Sequence, residues 1–116
     1  DPIISAGIGL FIFPRTWPLL KEATGVLLEG TPREVNLEDV RKSILAMPGV
    51  MGLHDLHVWS LTSGVNAMSV HVVVREGLGH NELLKTLNRL IIENFKISHT
   101  TIQLELSGYE ETETHL

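Results

Sequence analysis

The stretch VMGLHDLHVWSLTSGVNAMSVHVVV, residues 50–74, decides the fold of this chain. It contains two strand-like runs with the turn residues Thr62-Ser63-Gly64-Val65 between them. The second run alternates between uniformly apolar and more polar positions, which is typical of a strand with one buried face. A two-residue loop pairs Thr62 with Val65, so the stretch predicts a β-hairpin.

Helical patterns lie on both sides of the hairpin. Asn36 is a predicted N-cap, and the apolar stripe that follows it ends at Pro48-Gly49. A second helical stripe covers residues 83–95, and a strand-like segment at residues 100–106 follows it. The order α-β-β-α-β predicts an α+β domain with a mixed three-stranded sheet, a truncated ferredoxin-like arrangement with a right-handed crossover.

Length, charge and cysteine content restrict the function. A chain of 116 residues forms at most one compact domain and an appendage. Its formal net charge is −5, and residues 109–116 contain three glutamates and no lysine or arginine, so an acidic tail follows a nearly neutral body. Without a basic face the chain is not expected to bind nucleic acid. The absence of cysteine excludes disulfides and thiolate metal sites, and without a nucleophile elbow or phosphate loop we do not expect an enzyme.

The N-terminal segment allows two interpretations. Residues 3–13 are uncharged but fewer than the roughly 20 needed to span a bilayer, and they lack the basic flank of a signal peptide. They are therefore either a buried core segment or the end of a transmembrane helix. Since the chain begins with Asp1, we expect a fragment or a processed product. Gly30-Thr31-Pro32 then predicts a domain boundary.

Histidines in the hairpin suggest a metal site. A regular ladder continuing from the turn pairs Leu56 with His71 and His54 with Val73, which puts His54 diagonal to His71 on one face. Diagonal Cβ atoms are about 7–8 Å apart, close enough for two imidazoles to share one ion. In the same alternation Asp55, His57 and Trp59 lie on the other face, with Trp59 in the core.

Glu105 belongs to the more polar face of the last strand, which we expect to be the face of His71. Two imidazoles and one carboxylate match the donor preference of Zn²⁺, with water, His80 or a side chain of a partner chain in the fourth position. The alternative is that these are ordinary polar positions on a sheet. His57 then caps the edge of the core, and His99 is structural.

Three motifs resemble a known family. The segments HDLHVWSLTSG (residues 54–64), MSVHVVV (residues 68–74) and HTTIQLE (residues 99–105) are similar to the cytoplasmic C-terminal domain of cation diffusion facilitators, most nearly those of the CzcD type, which export cobalt, zinc and cadmium. The opening DPIISAGIGLFIF and the later LLEGTP (residues 27–32) resemble the end of that family's last transmembrane helix and its linker.

The resemblance implies a metallochaperone-like α-β-β-α-β fold in a V-shaped homodimer beneath a proton-coupled exporter at the cytoplasmic face of the inner membrane. Metal binding between the protomers would draw the two domains together and favour export. On this basis residues 1–32 are the end of the transmembrane helix and the linker. Residues 33–108 are the metal-binding dimerisation domain, and residues 109–116 are a mobile tail.

The resemblance also implies a ligand set for Zn²⁺, with Cd²⁺ or Co²⁺ possible. It contains His54, His71 and Glu105, with His80 as a further ligand at the start of the second helix. Gln103 stands where some members have histidine, so a second site is expected to be weaker or absent, and His57 remains a candidate. Two other functions stay open: a small-molecule-binding regulatory domain of the ACT-like kind, and a dimerisation scaffold that needs no metal.

Overall fold

The structure, a computed structural model, describes residues 1–109, which contain three helices and three strands. After the first helix, their order is the predicted α-β-β-α-β, and the predicted mixed three-stranded sheet is confirmed. Of the predicted acidic tail, residues 110–116 lie outside the described residues. The elements are α1 (Pro2–Leu27), α2 (Leu37–Leu45), β1 (Val50–Thr62), β2 (Val65–Val74), α3 (His80–Asn94) and β3 (His99–Leu106).

Strand β2 is the centre of the sheet, whose order is β1-β2-β3. It runs antiparallel to β1 and parallel to β3, because α3 carries the chain back to the starting edge. Thr62 lies opposite Val65, as the two-residue loop predicts. Since β2 has a neighbour on each side, its side chains meet those of both other strands.

One face of the sheet forms the core. Met68 and the even-numbered valines of β2 are buried there under α2 and α3, and burial of each of these apolar side chains contributes about 1.5–3 kcal/mol. The odd-numbered residues of β2 and their partners on the neighbouring strands form the opposite face, which we call the open face. The central core residues are Val40, Ile44, Met68, Val70, Val72, Val74, Leu87 and Ile91.

Local interactions fix both ends of α2. The Asn36 side chain accepts hydrogen bonds from the backbone N–H groups of Glu38 (3.0 Å) and Asp39 (3.4 Å), which confirms the predicted N-cap. Gly49, with φ of +89°, turns the chain into β1. The positive φ favours glycine, and a Cβ at this position would overlap the side chain of Leu78, which would have to move.

Helix α1 is continuous through Pro14 and Pro18, so the apolar residues 3–13 and the residues that follow them form one helix. None of its residues is buried, so the buried-core interpretation of residues 3–13 is wrong. The helix has 26 residues, and its most apolar window has a mean hydropathy of 1.4. By length and composition α1 can therefore cross a membrane.

A buried asparagine joins three segments of the domain. Asn66 is fully buried, and its side chain accepts a hydrogen bond from the Ser60 hydroxyl at 3.0 Å. Its amide donates to Glu34 Oε1 at 3.1 Å and to the Lys96 carbonyl at 2.9 Å. A buried amide is costly unless it is bonded, so these contacts hold the segment before α2, strand β1 and the turn before β3 together.

The Asn66 network predicts an acid-sensitive contribution to stability. The hydrogen bond from Asn66 and a backbone hydrogen bond, aided by the charge of Lys96, outweigh burial and lower the pKa of Glu34 below its ordinary 4.5. Because this pKa is depressed in the folded state, the stabilisation is complete above the ordinary value and is lost as pH falls through the folded-state value. We expect Glu34→Gln to lower the free energy of unfolding at pH 6 more than at pH 3, in denaturant titrations.

The control is Glu76→Gln, which makes the same charge change in an exposed loop. A difference between wild type and Glu34→Gln that stays constant from pH 6 to pH 3 would contradict the prediction.

Candidate metal site

A β-bulge in β1 shapes the site. His54 lies opposite His71, and His57 lies opposite Ser69, so two residues of β1 face the single residue Val70 between them. At the bulge Asp55 has φ of +49°, a left-handed conformation that aspartate tolerates better than most residues. The extra residue shifts the register by one position and changes which face each following side chain occupies.

This shift, together with another between Ser60 and Thr62, makes the predicted register of β1 wrong beyond the hairpin turn. Leu56 does not pair with His71, and His54 does not pair with Val73; instead His54 is directly across from His71. The predicted alternation also fails. His57 and Trp59 share the open face with His54, while Leu56 packs against the core.

His54, His71 and Glu105 converge at one end of the open face. The two imidazole rings meet edge to face, with centroids 5.0 Å apart and planes at 66°. His54 Nε2 lies 2.8 Å from Glu105 Oε2, and His71 Nδ1 lies 2.8 Å from Glu105 Oε1. One carboxylate thus faces a nitrogen of each histidine. The three residues come from three different strands: His54 from β1, His71 from β2 and Glu105 from β3.

Glu105 is 6% exposed, which is unusual for a carboxylate. Burial alone would raise its pKa, but the hydrogen bond from His54, the charges of His54 and His71 and the amide of Gln103 outweigh it. The net pKa of Glu105 lies below the ordinary value, so the carboxylate stays ionised at neutral pH. Gln103 Nε2 donates to Glu105 Oε1 at 2.9 Å.

Asp55 is a second carboxylate at this site. Its Oδ2 lies 3.3 Å from His54 Nδ1, and potential ligand atoms of His54, Asp55 and His71 all lie within 4.8 Å of one another. Strict alternation put Asp55 on the face away from His54, which is wrong because the bulge turns its side chain back.

The odd spacing of the core-facing Leu53 and Val58 is the signal that could have revealed the bulge. These residues are five positions apart, and a regular strand would send them to opposite faces.

The other candidates lie elsewhere. His57 is exposed and lines a separate cavity of about 340 Å³ with Glu29 and Trp59. His80 is the exposed first residue of α3. Within residues 1–109, the group of closely spaced ligand atoms contains His54, Asp55 and His71 but not His80. His99 shares the open face, opposite Ala67, and is exposed.

The donor atoms fit a divalent cation such as Zn²⁺. Zinc accepts imidazole nitrogen and carboxylate oxygen, and both kinds of donor meet here without a thiolate. Exposure of the side chains decreases from His54 (33%) to His71 (17%) and Glu105 (5%). The carboxylate is therefore held at the base of the site, and His54 lies nearest to solvent.

Comparisons with known proteins agree with the fold and with the motifs. Residues 32–107 match the family described as cation efflux protein, cytoplasmic domain. The chain is 46% identical over 114 residues to the metal cation efflux system protein CzcD of Cupriavidus metallidurans, which covers 97% of this chain and 36% of that protein. It is 34% identical over 111 residues to a cadmium, cobalt and zinc/H(+)-K(+) antiporter of Bacillus subtilis, covering 94% of this chain and 36% of the antiporter.

A solved structure is also similar. The metal-bound C-terminal domain of the CzcD transporter from Cupriavidus metallidurans superposes with a TM-score of 0.59 at 45% identity, covering 62% of this chain and all of that domain. The chain spans about a third of the length of the curated relatives that it matches. It belongs to the cation efflux family, the cation diffusion facilitators that its motifs resemble, and residues 32–107 match the family's cytoplasmic domain.

Proposed function

We propose that this chain is the regulatory part of a divalent metal efflux transporter and that its domain binds Zn²⁺, or Cd²⁺ or Co²⁺, through His54, His71 and Glu105. The observation that carries the proposal is the ionised, nearly buried Glu105 carboxylate with an imidazole nitrogen 2.8 Å from each of its oxygens. The relatives named as metal efflux proteins and antiporters support it. The whole transporter would then confer resistance to these metals.

The proposed place of the chain follows from α1 and from the family. A helix long and apolar enough to span a bilayer precedes a domain that matches the cytoplasmic domain of cation efflux proteins. Residues 1–32 would then be the end of the last transmembrane helix with its linker, and residues 33–108 the metal-binding and dimerisation domain. The domain would lie at the cytoplasmic face of the inner membrane and contact the transmembrane domain of the same transporter.

The regulatory step is a change in the arrangement of two protomers. A bound divalent cation would be coordinated jointly by the Glu105 carboxylate and the two neutral imidazoles. Four-coordinate zinc takes one ligand more than these three residues supply, and water, His80 or a side chain of a second protomer would complete the set. A ligand from the second protomer ties the two domains together and shifts the population toward the closed homodimer that favours export. A coupling of about 1–3 kcal/mol, typical of allostery, is sufficient.

Gln103 and His57 have smaller roles in this proposal. Gln103 holds Glu105 Oε1 through its amide, and a neutral amide is a poorer zinc ligand than the imidazole that some relatives carry. His57 is exposed at a separate cavity, so it would bind an ion only together with groups from outside the described cluster.

The test is to follow metal binding and the distance between protomers in the same sample. The chain has no cysteine, so Glu93→Cys, at an exposed position of α3, gives one spin-label site in each protomer. In detergent micelles we expect saturable binding of Zn²⁺ by calorimetry and a shorter distance between labels by pulsed electron spin resonance. Mg²⁺, which prefers oxygen ligands in octahedral geometry, is the control cation.

Other outcomes would replace parts of the proposal. Binding of Zn²⁺ without a change in the label distance would leave a metal-binding domain that does not act on the dimer. If Zn²⁺ does not bind and the label distance stays constant, the domain would be a dimerisation scaffold that needs no metal. Thermal stabilisation by amino acids but not by Zn²⁺ would indicate the ACT-like alternative.

A further inference from the structure

The geometry points to Asp55 as a positioning residue that orients His54 for metal binding. It would accept the Nδ1–H of His54, so that Nε2 is the nitrogen available on the side of Glu105 and His71. This inference rests on the proposed function and adds a residue to it that is not itself a ligand. It also gives the bulge in β1 a function.

The two ring nitrogens of His54 face different carboxylates. Nε2 lies 2.8 Å from Glu105 Oε2, and Nδ1 lies 3.3 Å from Asp55 Oδ2. The two nitrogens of an imidazole point away from each other, so they cannot both bind one ion. The second imidazole, His71, directs its Nδ1 at the other oxygen of Glu105. A shared ion is expected at Nε2 of His54, on the side of Glu105. An oxygen of Asp55 also lies within 4.8 Å of ligand atoms of His54 and His71, so direct ligation by Asp55 is the competing arrangement.

A carboxylate behind a ligating imidazole has a defined chemical effect. A neutral imidazole has one N–H and one nitrogen lone pair, and the hydrogen bond made by one nitrogen determines which form is present. An acceptor at Nδ1 keeps the hydrogen there, leaves the lone pair on Nε2 and makes that nitrogen a stronger donor to a metal. It also fixes the rotation of the ring. Asp55 is placed to do all three.

The backbone conformation that brings Asp55 there is unusual. Its φ of +49° is disfavoured for side chains with a Cβ, and Glu29 is the other non-glycine residue with positive φ in the described part of the chain. In a regular strand the side chain of the residue after His54 would point to the core face. The left-handed residue in the bulge instead brings the carboxylate to the histidine beside it. Such outliers are often found where a functional group needs a particular placement.

Two substitutions separate positioning from ligation without disturbing this backbone. Asp55→Gly removes the carboxylate, and glycine adopts positive φ readily. Asp55→Asn keeps an acceptor oxygen on a residue that also tolerates the left-handed region. Asp39→Asn, an exposed aspartate in the first turn of α2, is the matched control for the loss of charge.

The readouts are the Kd for Zn²⁺ by calorimetry and ¹⁵N spectra of labelled histidine in the presence of ¹¹³Cd²⁺. We expect Asp55→Gly to weaken Zn²⁺ binding about 10–100-fold, the usual effect of losing a partner behind a ligand, and Asp55→Asn to weaken it less. Cadmium coupling should appear at Nε2 of His54, with the hydrogen on Nδ1, in the wild type.

Two results would overturn the inference while leaving the metal site intact. An unchanged Kd in Asp55→Gly would remove any role for the carboxylate. Equal, large losses in Asp55→Gly and Asp55→Asn, with cadmium coupling at Nδ1 of His54, would make Asp55 a ligand instead. If the wild-type chain binds no Zn²⁺, the proposed function fails and the positioning role fails with it.

Discussion

Glu105→Gln is expected to weaken Zn²⁺ binding by at least about 100-fold, since loss of a ligand should exceed the 10–100-fold effect of losing a partner behind one. The substitution keeps the size of the side chain and removes the negative charge that both imidazoles face. One of the two oxygens becomes an NH₂ group, which cannot accept a hydrogen bond or bind a cation. The site then loses the carboxylate whose oxygens lie 2.8 Å from a nitrogen of each histidine.

The effect can be measured as metal-dependent stability. At a Zn²⁺ concentration of 100 times the wild-type Kd, binding stabilises the folded state by about 2.7 kcal/mol. A 100-fold weaker site gains only about 0.4 kcal/mol at the same concentration by that relation. We expect denaturant titrations with and without Zn²⁺ to show this loss in Glu105→Gln and not in Glu93→Gln, an exposed glutamate of α3. Equal zinc-dependent stabilisation in the two variants would place the site elsewhere.

His71→Ala is expected to have a similarly large effect, again about 100-fold or more on the Kd for Zn²⁺. His71 lies on the central strand, directly opposite His54, and its Nδ1 is 2.8 Å from Glu105. Its loss removes one of the two nitrogen donors and opens the base of the site to water. Calorimetry measures the Kd, and far-ultraviolet circular dichroism establishes that the sheet is retained.

The matched control is His99→Ala. His99 lies on the same open face but opposite Ala67, at the other end of the strand pairing, and it is exposed. We expect its removal to change the Kd less than about twofold, in line with the small effects of most surface substitutions. Similar losses in both variants would mean that the histidines act through the general charge of the open face and not through one site.

The order of the elements could be predicted from the sequence because periodicity and turn residues are local signals. The two-residue loop between Thr62 and Val65, the N-cap at Asn36 and the alternation in β2 each depend on a few adjacent residues. The family resemblance was readable for the same reason, since its motifs are continuous segments that lie within the hairpin and the last strand.

Alternation put His54 and His71 on one face, but it could not predict that they pair directly or that Asp55 joins them. Counting back from the turn assumes a regular ladder, whereas the ladder shifts at three places in β1. Each shift adds one residue, so the predicted partner of His71 was Leu56 and the observed partner is His54. The same error put Trp59 in the core, although it lies opposite Ala67 on the open face and is only partly buried.

The sequence by itself determined which residue types are available, the order of helices and strands, and the family. Only the tertiary structure decided that His54 lies directly across from His71 and that Asp55 joins them, because both depend on where β1 bulges to keep Leu53 and Val58 on the core side. The bulge is set by packing of the whole sheet against α2 and α3, a balance of many distant contacts. The burial of Glu105 follows from the same packing and not from any pattern within β3, and so do the contacts with His54 and His71 that lower its pKa against the effect of burial.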